Sequence, residues 1–369
     1  MINNKFIAVI AVIFIVLASV SVAYVITRDD GTSGNTVTDA RGRQVEVPDE
    51  INSILAMKAC SLQLVSFFDA VNKVTYLDGD GITLQGEVLT DPNRTHTFIK
   101  KDLLQGLPFV NTSKDEAVIL ANPDIIISSE VDVSKLDEFQ KRVGIPVFAI
   151  NADVEFDSDI MYSQLLSLGK LFGEEERAQE LVDGIKKMIS NITENVGPAD
   201  EVSAYVCGMN FYGAASNTFV RTSGNYLPFE YSNVYNIMSP AANKQPFNTN
   251  PQSIIDAHPK LLFIDGLGLS ATLTHIHDNY KTLKFVDAIA DGKVYKTMVY
   301  KIFGTNWVNQ LINVYYVAYI VHGSELGWSF ADFEQKANEI IQLFYPGTDV
   351  TYAMLAAAQT GGGCGAVAL

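Results

Sequence analysis

One long amphipathic segment constrains the fold more than any other feature of the chain. Residues 173–198, GEEERAQELVDGIKKMISNITENVGP, place an apolar side chain at every third or fourth position, the period of one buried helix face. Glutamates 174–176 lie in the first turn, where the helix dipole favours negative charge, and Gly197 and Pro198 end the pattern. We predict one continuous helix over residues 174–196, roughly 33 Å long at about 1.5 Å per residue.

The patterns on both sides of this helix suggest that it connects two lobes. Short β-rich apolar runs alternate with helical ones before it (strands at residues 53–57, 74–77, 124–127 and 146–150; helices at 61–70, 114–121 and 133–143). The alternation resumes after it (strands at 202–207, 261–265 and 294–296; helices at 252–257, 306–321 and 330–344). Strict alternation predicts crossover connections and parallel sheets. The alternative is that the helix belongs to one larger domain.

An internal similarity supports two lobes. Residues 116–128, EAVILANPDIIIS, align without a gap with residues 252–264, QSIIDAHPKLLFI. Each segment predicts a short helix, a turn marked by proline and a buried strand. The predicted division is therefore 1–28 as a signal anchor, 29–157 as the N-terminal lobe, 158–197 as connecting helices and 198–369 as the C-terminal lobe. The Gly-rich tail from Thr360 is expected to be flexible.

The composition predicts a folded, acidic protein. The chain has 369 residues, of which 48% are hydrophobic, and a formal net charge of −16. A hydrophobic core is expected, and the lack of basic surface argues against a nucleic-acid partner. Three cysteines (Cys60, Cys207 and Cys364) cannot all pair with one another, and their spacing matches neither a zinc site nor a disulfide framework.

The N-terminal segment predicts export. Residues 6–26 carry no charged side chain, which is enough to cross a bilayer as a helix. Lys5 precedes this run and Asp29 and Asp30 follow it closely, so the body of the chain is expected on the extracytoplasmic face of the cell membrane. A weak cleavage site at residues 21–23 leaves two alternatives, an uncleaved anchor, which we favour, or a cleaved signal peptide. Asn93, Asn111 and Asn191 begin N-x-Ser/Thr sequons, as in many exported proteins.

Four segments carry a resemblance to a known family. They are VTDARGRQVEVP (37–48), ANPDIIIS (121–128), LGKLFGEEERAQELV (168–182) and HPKLLFIDG (258–266). In this order they resemble the substrate-binding proteins of ABC importers, in the class that handles vitamin B12, haem and ferric siderophores, over residues 37–344. The resemblance implies two Rossmann-like lobes bridged by one rigid helix, with the ligand in the cleft between them. The implied partners are a metal-chelate small molecule, an ABC permease with its ATPase, and the membrane through the N-terminal helix; we expect a monomer.

The resemblance also implies a docking feature. Such proteins carry a surface glutamate at the same distance before the marker proline in each lobe, and both are thought to meet arginines of the permease. Glu116 occupies this position in the first lobe, whereas the second lobe has Gln252. Asp256 lies close to Gln252 and is a possible substitute. The alternative for Glu116 is an ordinary solvated helix residue.

Ligand-binding residues are expected in loops at the carboxyl ends of the parallel strands, where open α/β sheets bind ligands. Aromatic faces with one or two cations at the rim suit a planar, partly anionic chelate. We predict contacts from seven residues: Lys58, Asp80, Tyr212, Arg221, Tyr226, Lys301 and Trp307. For each aromatic residue, ordinary packing in the core is the alternative.

Catalytic motifs are absent from the sequence. It contains no G-x-S-x-G, H-E-x-x-H, P-loop or G-x-G-x-x-G after the first strand, so binding without turnover is predicted, with no cofactor and no resident metal. The rival hypothesis is a surface-tethered metal enzyme or chelatase on the same fold. In it, His275 and His277, or Cys60 and Cys207, would hold a metal ion. The histidine pair could do so only on a strand or extended loop, where alternate residues share a face.

Overall fold

Two five-stranded sheets form the framework of the protein. The computed structural model describes residues 35–79, 91–197, 199–209, 218–241 and 245–369. An antiparallel hairpin of β1 (Thr36–Thr38) and β2 (Gln44–Glu46) opens this part of the chain. Each large sheet is surrounded by helices, and we call the two assemblies the first and second lobe.

The sheet of the first lobe is parallel throughout. Its strands are β3 (Ile54–Met57), β4 (Val74–Asp78), β5 (Phe109–Val110), β6 (Ile125–Ser128) and β7 (Val147–Ala149). They lie in the order β5-β4-β3-β6-β7. The helices between them are α1 (Ser61–Val65), α2 (Thr95–Ile99), α3 (Lys101–Leu104), α4 (Asp115–Ala121) and α5 (Val133–Val143), with a 3-10 helix at Asp69–Lys73.

The sheet of the second lobe has four parallel strands and one antiparallel edge. Its strands are β8 (Ala199–Cys207), β10 (Val234–Asn236), β12 (Leu261–Asp265), β13 (Val294–Thr297) and β14 (Gly365–Ala366). Their order is β10-β8-β12-β13-β14, and β14 pairs antiparallel with β13. A small ribbon pairs β9 (Arg221–Thr222) with β11 (Phe247–Asn248). The predicted α/β fold with two parallel sheets is confirmed.

Ten further helices lie in the described ranges. Two connect the lobes, α6 (Asp159–Phe172) and α7 (Glu175–Thr193). The others are α8 (Leu227–Tyr231), α9 (Pro251–Asp256), α10 (Leu269–Asp278), α11 (Tyr280–Leu283), α12 (Asp287–Ala290), α13 (Trp307–Leu326), α14 (Phe330–Phe344) and α15 (Tyr352–Ala358). Further 3-10 helices lie at Ser239–Ala241 and Gly266–Gly268. None of the helices in the described ranges is long and apolar enough to cross a membrane, and the predicted span at residues 6–26 lies outside those ranges.

The two similar segments occupy equivalent places in the two sheets. In the first lobe α4 leads into β6, which pairs with β3; in the second α9 leads into β12, which pairs with β8. The residues before the two marker prolines, Asn122 and His258, both have a left-handed backbone, with φ of 46° and 48°. The shared turn therefore explains the sequence similarity.

The connecting helix α7 is continuous and contacts both lobes. Its apolar face is buried as predicted, and it shows no break at Gly184. A Cβ at Gly184 would lie 2.3 Å from Cδ1 of Leu343 in α14, so the glycine lets the second lobe pack closely against the helix. Farther along α7, the Tyr315 hydroxyl of α13 donates to the carbonyl of Met188 over 3.0 Å.

The start of α7 is fixed to the first lobe by charged side chains. The Glu174 carboxylate accepts hydrogen bonds from the backbone N–H groups of Asp69 and Ala70, each at 2.8 Å. One turn later the Arg177 guanidinium donates through Nε to the Phe67 carbonyl over 3.0 Å. Its Nη2 donates to the carbonyls of Leu343 and Phe344 at the end of α14. Arg177 therefore links the first lobe, α7 and the second lobe.

The prediction of a flexible tail is wrong. Gly365 and Ala366 extend the second sheet as β14, opposite Lys296 and Tyr295 of β13. The three glycines before them, residues 361–363, have φ of 86°, 71° and 74°, a left-handed conformation that strongly favours glycine. The glycine run is thus a requirement of the turn that leads into β14.

Replacing Arg177 tests its role at the lobe junction. Arg177→Ala leaves buried carbonyls of both lobes without their donor, so we expect the free energy of unfolding to fall by about 2–3 kcal/mol in urea denaturation. Arg142 is the matched control, because its pair with Asp115 is largely exposed and its removal should leave the free energy of unfolding nearly unchanged. Equal losses for the two variants would contradict the proposed link.

Candidate functional site

A cavity of about 230 Å³ lies between the lobes at the carboxyl ends of their strands. The segment after β7, which includes Asp153, Glu155 and Ser158, forms its wall on the first lobe. The second lobe contributes Asn225 and Leu227 around the start of α8, the loop after β13, and Gln310 of α13. This is the position at which open α/β sheets bind ligands.

Charged groups from both lobes meet at this cavity. Lys301 of the second lobe forms an ion pair with Asp153 of the first, and only 12% of the lysine side chain is exposed. The Thr305 hydroxyl lies 3.5 Å from the same carboxylate. Across the cavity, Asn225 Nδ2 donates to Glu155 Oε1 over 3.4 Å. Among the residues that the structure describes, the lining offers two carboxylates and one ammonium, and the ammonium is already paired.

A third carboxylate lies close to the lining. Glu230 is in α8, and burial together with the nearby charge of Glu155 raises its pKa above the usual range. Burial has the larger effect and disfavours the charged form; repulsion by Glu155 acts in the same direction. The electrostatic character of the cavity is therefore acidic.

Asp265 holds the loop that carries Lys301 in place through hydrogen bonds to the backbone. This residue ends β12, and its carboxylate accepts from the backbone N–H of Tyr300 over 2.8 Å and from that of Leu267 over 3.0 Å. The side chain is buried, and burial raises its pKa to about 7, although both N–H donors oppose the shift. Asp265 therefore positions the cavity wall without lining it.

Buried side-chain amides of α13 also form hydrogen bonds to the backbone of this loop. Asn313 pairs with the backbone of Met298, accepting from its N–H over 3.0 Å and donating to its carbonyl over 2.9 Å. Asn309 donates to the Val299 carbonyl over 3.0 Å, and Gln310 donates to the Tyr300 carbonyl over 3.3 Å. Each of residues 298–300, between β13 and Lys301, is thus hydrogen-bonded to a side chain of α13.

Trp307 and Tyr226 are placed as core residues next to the cavity. Trp307 has no exposed surface; its indole N–H donates to the Val154 carbonyl over 2.9 Å and its ring packs edge-on against Phe67 at 6.3 Å. Tyr226 is 2% exposed and packs against Tyr300 and Phe229, at 4.9 and 4.8 Å between ring centroids. Neither ring lines the cavity, so both residues have the alternative role of ordinary packing in the core.

The remaining predicted contacts are spread over other places. Lys58 pairs with Glu130 in a separate cavity of about 260 Å³ within the first lobe, and this pairing lowers the pKa of Glu130 to about 2. Arg221 lies on β9, where its Nη1 is 3.5 Å from Asn248 Oδ1. Asp80 and Tyr212 lie outside the described residues. Of the seven predicted residues, Lys301 is the one that lines the interlobe cavity within the described ranges.

Cys60 lies at the contact between the lobes. It has a left-handed backbone with φ of 65°, and its thiol approaches the carbonyls of Ala152 and Thr305 at 3.4 and 3.6 Å. A Cβ at Gly304 would lie 2.5 Å from the sulfur, so this position excludes larger residues. Burial raises the pKa of Cys60 to about 12, which keeps the thiol protonated at neutral pH.

The predicted metal ligands are not brought together. His275 and His277 lie on helix α10 rather than on a strand, so residues two apart point to different sides. His275 packs near Phe219, whereas the His277 side chain is 90% exposed. Cys207 is buried in the second-lobe core, separate from the cluster that contains Cys60. In the described ranges no group of three or more His, Cys, Asp or Glu side chains is arranged to hold a metal ion.

The two docking positions lie on exposed helices of the two lobes. Glu116 is exposed near the start of α4, and Leu120 on the same helix is 87% exposed. Gln252 is exposed at the start of α9, and its amide donates to Asp256 Oδ1 over 2.8 Å. A carboxylate is therefore present one turn after the position where the second lobe has glutamine.

Comparison with known proteins identifies the family. Residues 93–298 match the periplasmic binding protein family, and the chain belongs to that family. No curated protein sequence matches the chain. Members of this family bind solutes rather than transform them, so the rival enzyme hypothesis is not supported. The predicted resemblance to substrate-binding proteins of ABC importers is confirmed.

Solved structures share the fold at low sequence identity. A periplasmic solute-binding protein of Veillonella parvula is 14% identical, with a TM-score of 0.65, and the match covers 85% of this chain and 94% of that one. The molybdate-binding protein MolA of Haemophilus influenzae, bound to molybdate, is 15% identical, with a TM-score of 0.63 and coverage of 86% and 99%. CeuE of Helicobacter pylori, with Ni(II) bound, is 11% identical, with a TM-score of 0.60 and coverage of 87% and 98%.

Sequence reasoning missed most of the cavity lining. Asp153 and Glu155 follow β7, so the rule that places ligands after parallel strands could have found them. Asn225 and Gln310 carry no such signal, because the first precedes a short helix and the second lies within a long one.

Asp265 predicts a measurable dependence of stability on pH. Its folded pKa of about 7 lies above the usual carboxyl value, so the folded state holds a proton that the unfolded state has lost. The contribution is fully present below about pH 4 and is lost as pH rises to about 7. We expect Asp265→Asn to flatten the decline of unfolding free energy over this interval. Asp256→Asn, at an exposed position, is the control, and a wild-type slope in Asp265→Asn would contradict the assignment.

Proposed function

We propose that this protein is the extracytoplasmic substrate-binding protein of an ABC importer. It captures a metal chelate in the interlobe cavity and delivers it to a permease with its ATPase. The observation that carries the proposal is the cavity itself, whose walls come from both lobes at the carboxyl ends of the strands and are joined by Lys301 and Asp153. A ligand seated there contacts both lobes, and a permease that separates the lobes would release it.

The charge of the cavity favours a neutral or cationic chelate. A planar anionic ligand such as haem needs free cations and exposed aromatic faces. Lys301 is already paired with Asp153, and the rings of Trp307 and Tyr226 are buried. Asp153 and Glu155 would repel an oxyanion or a polyanionic chelate. Of the candidate ligands (ferric siderophore, corrinoid or haem), a ferric siderophore of the hydroxamate type is the one that the charge of the cavity favours.

A panel of ligands tests the proposed class. We expect the purified protein to bind a cationic ferric hydroxamate more tightly than a ferric tricatecholate, haem or molybdate, measured by calorimetry and by tryptophan fluorescence. Glu155→Gln should weaken binding of the cationic chelate about five- to tenfold and weaken binding of a neutral one less. Asp256→Asn removes an exposed carboxylate elsewhere and should change neither. A preference for the tricatecholate or for molybdate would overturn the proposed class.

Docking to the permease is proposed to use the two exposed helices, α4 and α9. The Glu116 side chain is exposed near the start of α4, close to the exposed Leu120, so it can meet an arginine of the permease. On α9 the position of Gln252 cannot form an ion pair, and Asp256, which accepts from Gln252, is the nearest carboxylate. The first lobe is therefore expected to contribute more of the electrostatic attraction.

Permease binding kinetics test this asymmetry. We expect Glu116→Ala to slow complex formation and impair transport without changing chelate affinity, because α4 lies away from the cavity. Gln252→Ala should have less effect, and Gln252→Glu should accelerate association. The difference between wild type and Glu116→Ala should narrow as salt is raised, since surface charges are screened. Equal effects at Glu116 and Gln252, or a loss of chelate binding in Glu116→Ala, would refute the assignment.

A further inference from the structure

A further connection between the lobes lies at the C-terminal end of the described chain. Asn93, just before α2 of the first lobe, is 7% exposed, and both ends of its amide bond to Thr360. Asn93 Nδ2 donates to the Thr360 hydroxyl over 3.0 Å, and the Thr360 backbone N–H donates to Asn93 Oδ1 over 2.8 Å. The Asn93 carbonyl also accepts from Asn306 Nδ2 over 2.8 Å.

A closed ring of buried side chains lies next to this pair. The Thr95 hydroxyl donates to Asn309 Oδ1 over 2.7 Å, Asn309 Nδ2 donates to Gln359 Oε1 over 3.0 Å, and Gln359 Nε2 donates to the Thr95 hydroxyl over 3.1 Å. The three residues come from the first lobe, from α13 and from the segment after α15. All are at most 4% exposed, so no bond of the ring is readily replaced by water.

The same C-terminal segment is firmly attached to the second lobe. Lys296 Nζ donates to the carbonyls of Gly361 and Gly362, and Gly365 lies opposite Lys296 in the β13–β14 ladder. The Cys364 N–H donates to the Tyr352 hydroxyl over 2.9 Å. A Cβ at Gly361 would lie 2.9 Å from the Cα of Gly266, so the turn sits directly on the loop after β12. Thr360 therefore has little freedom to move independently of the second sheet.

We propose that residues 359–366 form a C-terminal clasp that holds the first lobe against the second. The clasp attaches to β13 at one end and to Asn93 and Thr95 at the other. Separation of the lobes breaks the Asn93–Thr360 pair and the ring around Thr95, so the clasp sets how readily the cavity opens. Asn306 and Asn309, which join the network, flank Trp307 directly after the cavity loop and couple the clasp to the wall that carries Lys301.

A tail that only covered the edge of β13 would not need these contacts. Edge strands are commonly covered or paired, and β14 alone accomplishes this. Gln359 and Thr360 instead bond to residues of the first lobe that are distant in sequence. The two bonds of Thr360 use both polar atoms of the Asn93 side-chain amide. Because that amide is buried and bonded, the sequon at Asn93 is closed to modification in the folded protein.

Hydrogen–deuterium exchange on the full chain tests the clasp without any ligand. Thr360→Val removes only the hydroxyl, and Asn93→Ala removes the amide. In both variants we expect exchange to accelerate about tenfold in the cavity walls, residues 150–156 and 300–306, as well as in residues 359–369. Loss of one partly buried hydrogen bond corresponds to a change of this order.

Asn338→Ala is the matched control, because Asn338 Oδ1 accepts from the Tyr352 N–H within the second lobe. It should accelerate exchange near α15 and leave both cavity walls unchanged. If Thr360→Val accelerates exchange only in residues 359–369, or nowhere, the clasp is refuted and the tail merely covers the sheet edge. Thr360→Val is close in shape to the wild type, so the test stands even if Asn93→Ala does not fold.

Discussion

The packing of the interior between the two sheets requires hydrogen-bond partners for the buried side-chain amides of α13. The first three turns of this helix are buried on all sides, and an unpaired amide there would cost on the order of 1–3 kcal/mol. Asn309, Gln310 and Asn313 meet this requirement by bonding to the backbone that leaves β13. The same bonds that make the helix stable in the interior therefore give the cavity wall its shape. The stability of the helix and the shape of the cavity therefore depend on one set of contacts.

The connecting helix α7 adds a mechanical constraint to this interior. It is one rigid element of 19 residues, and Glu174 and Arg177 anchor its start to the backbone of the first lobe. Leu343 packs over Gly184, so the second lobe rests against the middle of the same helix. Large rotations between the lobes would disrupt this packing. The packing thus limits how far the interlobe cavity can change shape, and a preorganised cavity lowers the ordering cost of any binding.

The sequence predicts the fold far better than the site, for a physical reason. Helix α5, helix α14 and strand β12 have the predicted bounds, because hydrophobic period and proline-marked turns are local signals. The pairing of Lys301 with Asp153 joins residues distant in sequence, so no local hydrophobic pattern predicts it. The suitability of aromatic rings for chelates predicts Trp307 at the ligand, but burial of a large ring is the stronger tendency. The glycine run at residues 361–363 suggested flexibility, whereas it meets the backbone requirement of a tight turn.

The buried cysteines have a consequence for a protein of a family that works outside the cytoplasm. All three thiols are free and buried, and burial raises the pKa of Cys60 and of Cys364 to about 12 and that of Cys207 well above its usual range. Thiol exchange requires the thiolate, so the native protein resists oxidants and mixed disulfides in an oxidising compartment. The unfolded chain loses this protection at once. Each cysteine can therefore be used to detect unfolding, because its thiol is unreactive towards thiol reagents in the native state and becomes reactive when the core unfolds.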